Sequence, residues 1–95
     1  MRVRGKLRSR VKICSDILRT IEEEGGEARP TRIMYRANLS YTRLKAYLSE
    51  LKEMGLIKEE VSGEHTVYRL TRKGVYFLIE LRRIEEFLAA FGFAL

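Results

Sequence analysis

The apolar positions of the chain follow two periodicities, and the switch between them divides it into elements. Val11, Cys14, Leu18 and Ile21 recur at three- and four-residue steps, widened by Ile13 and Ile17. That spacing predicts a first helix from Arg8 to about Glu24, ended by Gly25 and Gly26. Pro30 suits the first turn of a short second helix, Thr31 to Ala37, with Ile33, Met34 and Ala37 available for burial. After a tight link, Ala37-Asn38-Leu39-Ser40, a third helix carries Leu44, Tyr47, Leu48, Leu51 and Met54 on one face. Both its ends are marked. Ser40 stands at the N-cap, and Gly55 stands where a left-handed residue closes a helix, with Leu56 free to fold back onto Leu51. The period then becomes two. Leu56–Val61 and His65–Leu70 read as strands around a Ser62-Gly63-Glu64 turn. Ile57 and Val61 share one face of the first strand, Tyr68 and Leu70 one face of the second. Thr71 caps a last helix, Arg72 to about Ala90, in which Phe77, Leu81, Ile84, Leu88 and Phe91 repeat at the spacing of a coiled-coil seam.

Two helices joined by so short a link make a helix-turn-helix. A helix, a helix-turn-helix and then a β-hairpin is the order of a winged helix. The expected fold class is therefore mainly α with a small β-hairpin (α+β): a winged helix-turn-helix plus a C-terminal dimerisation helix. The expected divisions are a basic arm (1–7), a winged-helix domain (8–71) and a dimerisation helix (72–95). A chain of 95 residues has room for one modest core. Val75, Leu78 and Phe87 make the last helix's stripe wider than a seam needs, and Phe91, Phe93 and Leu95 continue past the reach of so small a domain. Exposed apolar surface of that kind marks an interface, so a homodimer through this helix is expected. The alternative is docking of the whole helix on its own domain.

The outward face of the third helix carries Thr42, Lys45, Ala46, Ser49 and Glu53, with Arg43, Tyr41 and Lys52 at its edges. Short polar side chains with a few cations suit close approach to a major groove, though an ordinary surface helix has such a face too. No acid stands at position 43 to complete a capping box with Ser40. Free N–H groups beside Arg43 would instead suit a phosphate. Charge strengthens that picture. The net charge is +6, and residues 1–19 carry seven cations against Asp16 alone. Arg29, Arg32, Arg36, Arg43 and Lys45 follow with no acid among them, whereas residues 50–64 hold five Glu against two Lys. Segregation of this kind gives a basic side, whose usual partner is a polyanion. The Glu22-Glu23-Glu24 run reads as a solvated face. Arg2, Arg4 and Lys6 alternate with Val3 and Leu7 in a basic arm that reads as a short strand, as the start of the next helix or as a segment disordered until bound; such arms often follow phosphates or a minor groove.

Composition excludes much else. The lone Cys14 falls on an apolar face and reads as a structural thiol; it forbids an intramolecular disulfide. No Cys/His cluster has metal spacing, His65 stands isolated on the hairpin, and no nucleotide-binding glycine motif or paired carboxylates occur, so no enzyme, cofactor or metal is expected. No segment reads as a signal peptide or membrane span, so a soluble, cytoplasmic protein is expected. The absence of Gln, the single Asn38 and the abundance of Lys, Arg and Glu match the bias reported for hyperthermophile proteins.

The run TRIMYRANLSYTRLKAYLSELKEMGLIK, followed by YRLTRKGVYFL, resembles the archaeal winged-helix DNA-binding family that includes the ten-kilodalton nucleoid proteins. The resemblance extends from about Ile13 to Leu88. Its most specific part is IMYRANLSYTRLKAYL; the LTxKG element (Leu70, Thr71, Lys73, Gly74) is shared by many winged helices. It implies DNA binding as a homodimer joined by C-terminal helices, an antiparallel coiled coil in the nucleoid members. It makes Tyr41, Thr42, Arg43, Lys45, Ala46 and Ser49, after the cap Ser40, the groove-facing set, and Arg32 and Arg36 candidate phosphate contacts. Two features depart from the family. The last helix is short for a long coiled coil. The hairpin is acidic at Glu59, Glu60 and Glu64, where a DNA-touching wing usually carries cations, so Arg69, Arg72 and Lys73 at its base are the expected contacts. Thr42, Ala46 and Ser49 offer little bidentate readout of bases, which favours an architectural protein over a sharp operator binder. The competing reading is a protein-interaction module that meets an acidic partner with its basic face.

Overall fold

The computed structural model describes residues 8–95; the arm, 1–7, lies outside the described residues. The elements are α1 (Arg10–Glu23), β1 (Glu27–Ala28), α2 (Pro30–Ala37), α3 (Tyr41–Glu53), β2 (Ile57–Ser62), β3 (His65–Leu70) and α4 (Arg72–Ala89). The class is the one expected, four helices around a small antiparallel sheet.

Each helix closes as its sequence dictates. Gly25 adopts φ +94°, and the Gly26 N–H reaches back 2.9 Å to the Ile21 carbonyl. Gly55 does the same for α3: Leu56 N–H donates to Leu51 O at 3.0 Å and Gly55 N–H to Lys52 O at 2.9 Å, the paired bonds of a Schellman motif. Asn38, the one non-glycine residue with positive φ among the described residues, ends α2 in the same way. Asn tolerates the left-handed region because its short polar side chain can bond locally. The N-termini of α1, α3 and α4 are capped by the Ser9, Ser40 and Thr71 hydroxyls, which accept from Lys12, Arg43 and Gly74 N–H groups.

Ile13, Ile17, Leu18 and Ile21 of α1, Ile33 of α2, Leu44 and Leu51 of α3 and Leu78 of α4 are almost fully buried in one core. Burying each such side chain contributes about 1.5–3 kcal/mol. Two positions expected inside lie outside: Val11 and Met54 are 45% and 43% exposed. Each sits at the end of its helix stripe, where no neighbouring element covers it.

The hairpin register pairs Ile57 with Leu70, Glu59 with Tyr68 and Val61 with Thr66. Ile57, Val61, Tyr68 and Leu70 therefore share one face; Ile57 is buried, while Val61 lies outboard and is 75% exposed. A third strand was not expected from the sequence. β1 pairs with β3 (Glu27 with Arg69, Ala28 with Tyr68), giving the order β1-β3-β2. Two residues carry no readable alternation, and only the arrival of β3 beside them makes them a strand.

The chain does not divide physically between Leu70 and Arg72. Thr71 donates its hydroxyl to the Gly55 carbonyl at 2.6 Å and its N–H to Leu56 O at 3.1 Å, which clamps the start of α4 against the end of α3. Leu78 and Leu81 of α4 are buried in the winged-helix core. Arg19–Glu85 and Arg82–Glu22 ion pairs fasten the next turns of α4 to α1. Beyond them α4 runs free of its own domain, and Gly92 (φ +84°) turns the chain out of the helix.

Candidate nucleic-acid interface

Helix α3 buries Leu44, Leu48 and Leu51 and half-buries Tyr47, which fixes its rotation. The same rotation turns Tyr41, Thr42, Arg43, Lys45, Ala46 and Ser49 outward, all exposed, with Ser40 exposed at the cap. The six residues assigned to the groove-facing set are thus all exposed, with Tyr41 and Arg43 at opposite edges of the outward face. Lys45 places its ammonium 5.6 Å from the centre of the Tyr41 ring, a cation–π distance. Between α3 and the hairpin lies a cleft of about 280 Å³ lined by Lys45, Leu48, Ser49, Lys52, Glu59 and Tyr68. A second hollow, lined in part by Pro30, Tyr41 and Thr66, continues it towards the start of α2.

The ion pairs separate cations that are already engaged from those that are not. Arg32 bonds Glu24 at 2.9 Å, and Arg36 bonds Glu23 at 2.6 Å and Glu24 at 3.5 Å. The glutamate run read as a solvated face is therefore a set of partners: Glu22 takes Arg82, Glu23 takes Arg36, and Glu24 takes both Arg32 and Arg36. Sequence cannot show this, because the pairs form between helices. Arg69 lies between Glu27 and Glu60, at 2.5 and 3.0 Å. Lys52 bonds Glu59 at 2.7 Å. Hydrogen bonding and attraction by these carboxylates push the Lys52 and Arg69 side chains further towards the charged form.

Among the described residues, Arg29, Arg43, Lys45, Arg72 and Lys73 have no carboxylate partner. Arg43 and Lys45 lie on the exposed face of α3. Arg72 and Lys73 open α4, and the Lys73 ammonium lies 3.8 Å from where a side chain on Gly55 would begin, beside the C-terminal end of α3. Arg29 is a site candidate that motif reasoning misses. It is exposed immediately before Pro30, which lines the hollow shared with Tyr41 and Lys45. The signal available was its place in the acid-free stretch from 29 to 45.

Arg8 has a structural role that its place in a basic run conceals. Its guanidinium donates to Asp16 and to the Ala37 carbonyl, both at 2.8 Å, and to the Asn38 carbonyl at 2.9 Å. It ties α1 to the turn that leads into α3.

The expected seam on α4 divides in two. Phe77 packs partly against the core and Leu81 is 6% exposed, so the domain itself covers these. Ile84 and Phe91 are 50% and 66% exposed, with Leu88 half-buried. Phe87, also exposed, meets Phe91 with ring centres 5.3 Å apart. Among the described residues no cluster of His, Cys, Asp or Glu could hold a metal, and no helix is long and apolar enough to cross a membrane.

Residues 7–89 match the winged helix-turn-helix family. The chain belongs to that family. Among solved structures it is similar to Sso10a-2, a DNA-binding protein from Sulfolobus solfataricus. The two are 28% identical over 87% of each chain, with a TM-score of 0.71. It shares its fold with the transcriptional regulator BldR of the same organism (21% identity, 81% of this chain and 60% of that one, TM-score 0.67). A MarR family protein from Bacillus stearothermophilus has the fold too (18%, 81% and 55%, TM-score 0.70). No curated protein matches the sequence. The archaeal winged-helix resemblance is thus borne out.

Proposed function

We propose that this winged helix binds duplex DNA, with α3 in the major groove, and that it does so as a homodimer joined through the outer half of α4. The observation that carries the reading is the coincidence of two sets. The exposed face of α3 is small and polar, and the unpartnered cations Arg43 and Lys45 lie on it, with Arg29 beside it. Ser40, Tyr41, Thr42, Arg43, Lys45, Ala46 and Ser49 face the groove. Arg29, Arg72 and Lys73 supply phosphate contacts, with Arg32, Arg36 and Arg69 joining only if they exchange their glutamate partners. The similarity to Sso10a-2, itself a DNA-binding protein, supports the same reading.

Affinity then comes mainly from the phosphates, independently of sequence. No Asn or Gln stands on the α3 face to take an adenine in a bidentate pair. That favours an architectural, chromatin-type role over sharp operator recognition. A second reading, a protein-interaction module, draws on the acidic hairpin and the exposed aromatic end of α4.

A salt titration of binding to two unrelated duplexes, with the Arg43→Ala/Lys45→Ala variant alongside, separates these readings. Steep and similar slopes, about −0.9 per phosphate neutralised, with the variant weaker on both duplexes, establish backbone reading. Preference for one duplex that the variant loses establishes a regulator. No binding at low salt eliminates the DNA reading and leaves the interaction module.

A further inference from the structure

The hairpin departs from a phosphate-gripping wing in a specific way. Its cations are not missing; they are engaged. Lys58 stands on β2 and Arg69 on β3, and Lys52 flanks the hairpin from the last turns of α3. Each is held by a carboxylate of the hairpin or its neighbour strand. Glu59 takes Lys52 at 2.7 Å, and Glu60 takes Arg69 at 3.0 Å and Lys58 at 3.8 Å, while Glu27 holds Arg69 from β1.

The register explains the arrangement. Glu59 shares a face with its partner Tyr68 and with Ile57, the face turned to α3, so its carboxylate meets Lys52 across the cleft. Glu60 lies on the other face, diagonal to Arg69, with Lys58 two residues away along its own strand. The two adjacent glutamates therefore guard both faces of the hairpin at once. All of these side chains are at least a third exposed, so solvent and salt reach the pairs, and each pair contributes little to folding. Stability offers no strong reason for them.

We infer that Glu59 and Glu60 limit phosphate binding: they neutralise Lys52, Lys58 and Arg69 and so confine the DNA contact to the α3 face and the unpartnered cations. The partner concerned is the phosphodiester backbone running past the cleft between α3 and the hairpin. For a phosphate to recruit Lys52 there, it must displace a carboxylate that stays in place as a like charge. The consequence is a smaller phosphate footprint. Weakening the sequence-independent term leaves the α3 face with a larger share of the total affinity. This inference rests on the DNA-binding reading.

The test compares the full chain with Glu59→Gln, Glu60→Gln and the double variant in salt titrations on two unrelated duplexes. Glu86→Gln, an exposed change on α4 that removes the same charge far from the hairpin, controls for net charge. Each glutamine keeps the side chain's size; Glu59→Gln releases Lys52 and Glu60→Gln releases Lys58, while Arg69 keeps Glu27. Each recruited cation steepens the salt slope by about 0.9, so a fourfold rise in salt weakens the variant about threefold more than the parent. The expected result is tighter binding at low salt with steeper slopes for the hairpin variants on both duplexes alike, and little change for Glu86→Gln. Unchanged or weaker binding by the hairpin variants overturns the inference and leaves the DNA reading intact. An equal gain from Glu86→Gln also overturns it, because net charge then explains the effect. Failure of the parent chain itself to bind removes the reading and the inference together.

Discussion

Arg8 donates to the main-chain carbonyl of Ala37 across 2.8 Å, joining the start of α1 to the last turn of α2. The same guanidinium bonds Asn38 O and Asp16, so one side chain satisfies two carbonyls at the helix-turn-helix link while its charge is balanced from α1. Arg8→Ala is expected to cost about 1.5–3 kcal/mol in urea unfolding, given the usual worth of charged hydrogen bonds. Arg8→Lys should recover only part of it, because an ammonium cannot span the fork. Amide exchange at Leu39 and Ser40 should quicken in both variants. Unchanged exchange there would mean that the turn holds itself.

Gly74 is helical, and in most helices a glycine-to-alanine change is stabilising. Here a β-carbon would stand 2.2 Å from the Leu56 carbonyl oxygen. Gly74→Ala is therefore expected to cost about 3 kcal/mol by forcing α4 away from the end of α3. Gly25→Ala meets no atom within 4 Å and suffers only its positive φ, so its cost should be about 1 kcal/mol. Thermal unfolding of the two variants checks the order; an equal loss would refute the close-approach account.

The exposed and buried halves of the α4 stripe should respond differently to charge. Ile84→Glu and Phe91→Glu, at exposed positions, are expected to give folded monomers in sedimentation equilibrium where the parent chain is a dimer. Leu81→Glu places a carboxylate at a site 6% exposed and should unfold the domain instead, as circular dichroism would register. A monomeric parent chain would end the dimer proposal.

Alkaline pH should weaken the fold before any basic side chain of ordinary pKa titrates. Burial pushes the Cys14 thiol above its usual 9.0. Burial, then the nearby Glu59 charge, pushes the Tyr68 hydroxyl above 10.0. Both groups are neutral in the folded chain over a range where the unfolded chain releases the proton. Their contribution is therefore complete below pH 9.0 and is lost as pH rises through the folded values. The urea midpoint should fall from about pH 9 upward, and Cys14→Ala should make the first part of that decline shallower. A midpoint equally pH-dependent in the variant would exclude the thiol as a cause.

The elements are legible in the sequence because their signals are local. A glycine or Asn that closes a helix, a hydroxyl that caps one, and apolar steps of three, four or two residues all act within a few positions of the chain. That is why the helix-turn-helix link, the Gly55 closure and the His65–Leu70 strand can be read from the order of residues alone. So can the outward set on α3, since the residues that face inward leave no choice about those that face out.

Contacts between distant segments decided the rest. β1 exists only because β3 lies beside it. Val11 and Met54 continue their helices' apolar patterns, but no element arrives to cover them, and Leu81 is covered by the domain although its spacing matches a seam. Charge shows the difference most plainly. The sequence determined that residues 29–45 are basic and the hairpin acidic, whereas the fold decided which of those cations remain unpaired. Arg32 and Arg36 meet Glu23 and Glu24 through the packing of α2 on α1, while Arg43 and Lys45, on a helix whose partners lie behind it, meet none. Periodicity is a property of neighbours along the chain, but an ion pair depends on distance in space, and only the packed core sets that distance.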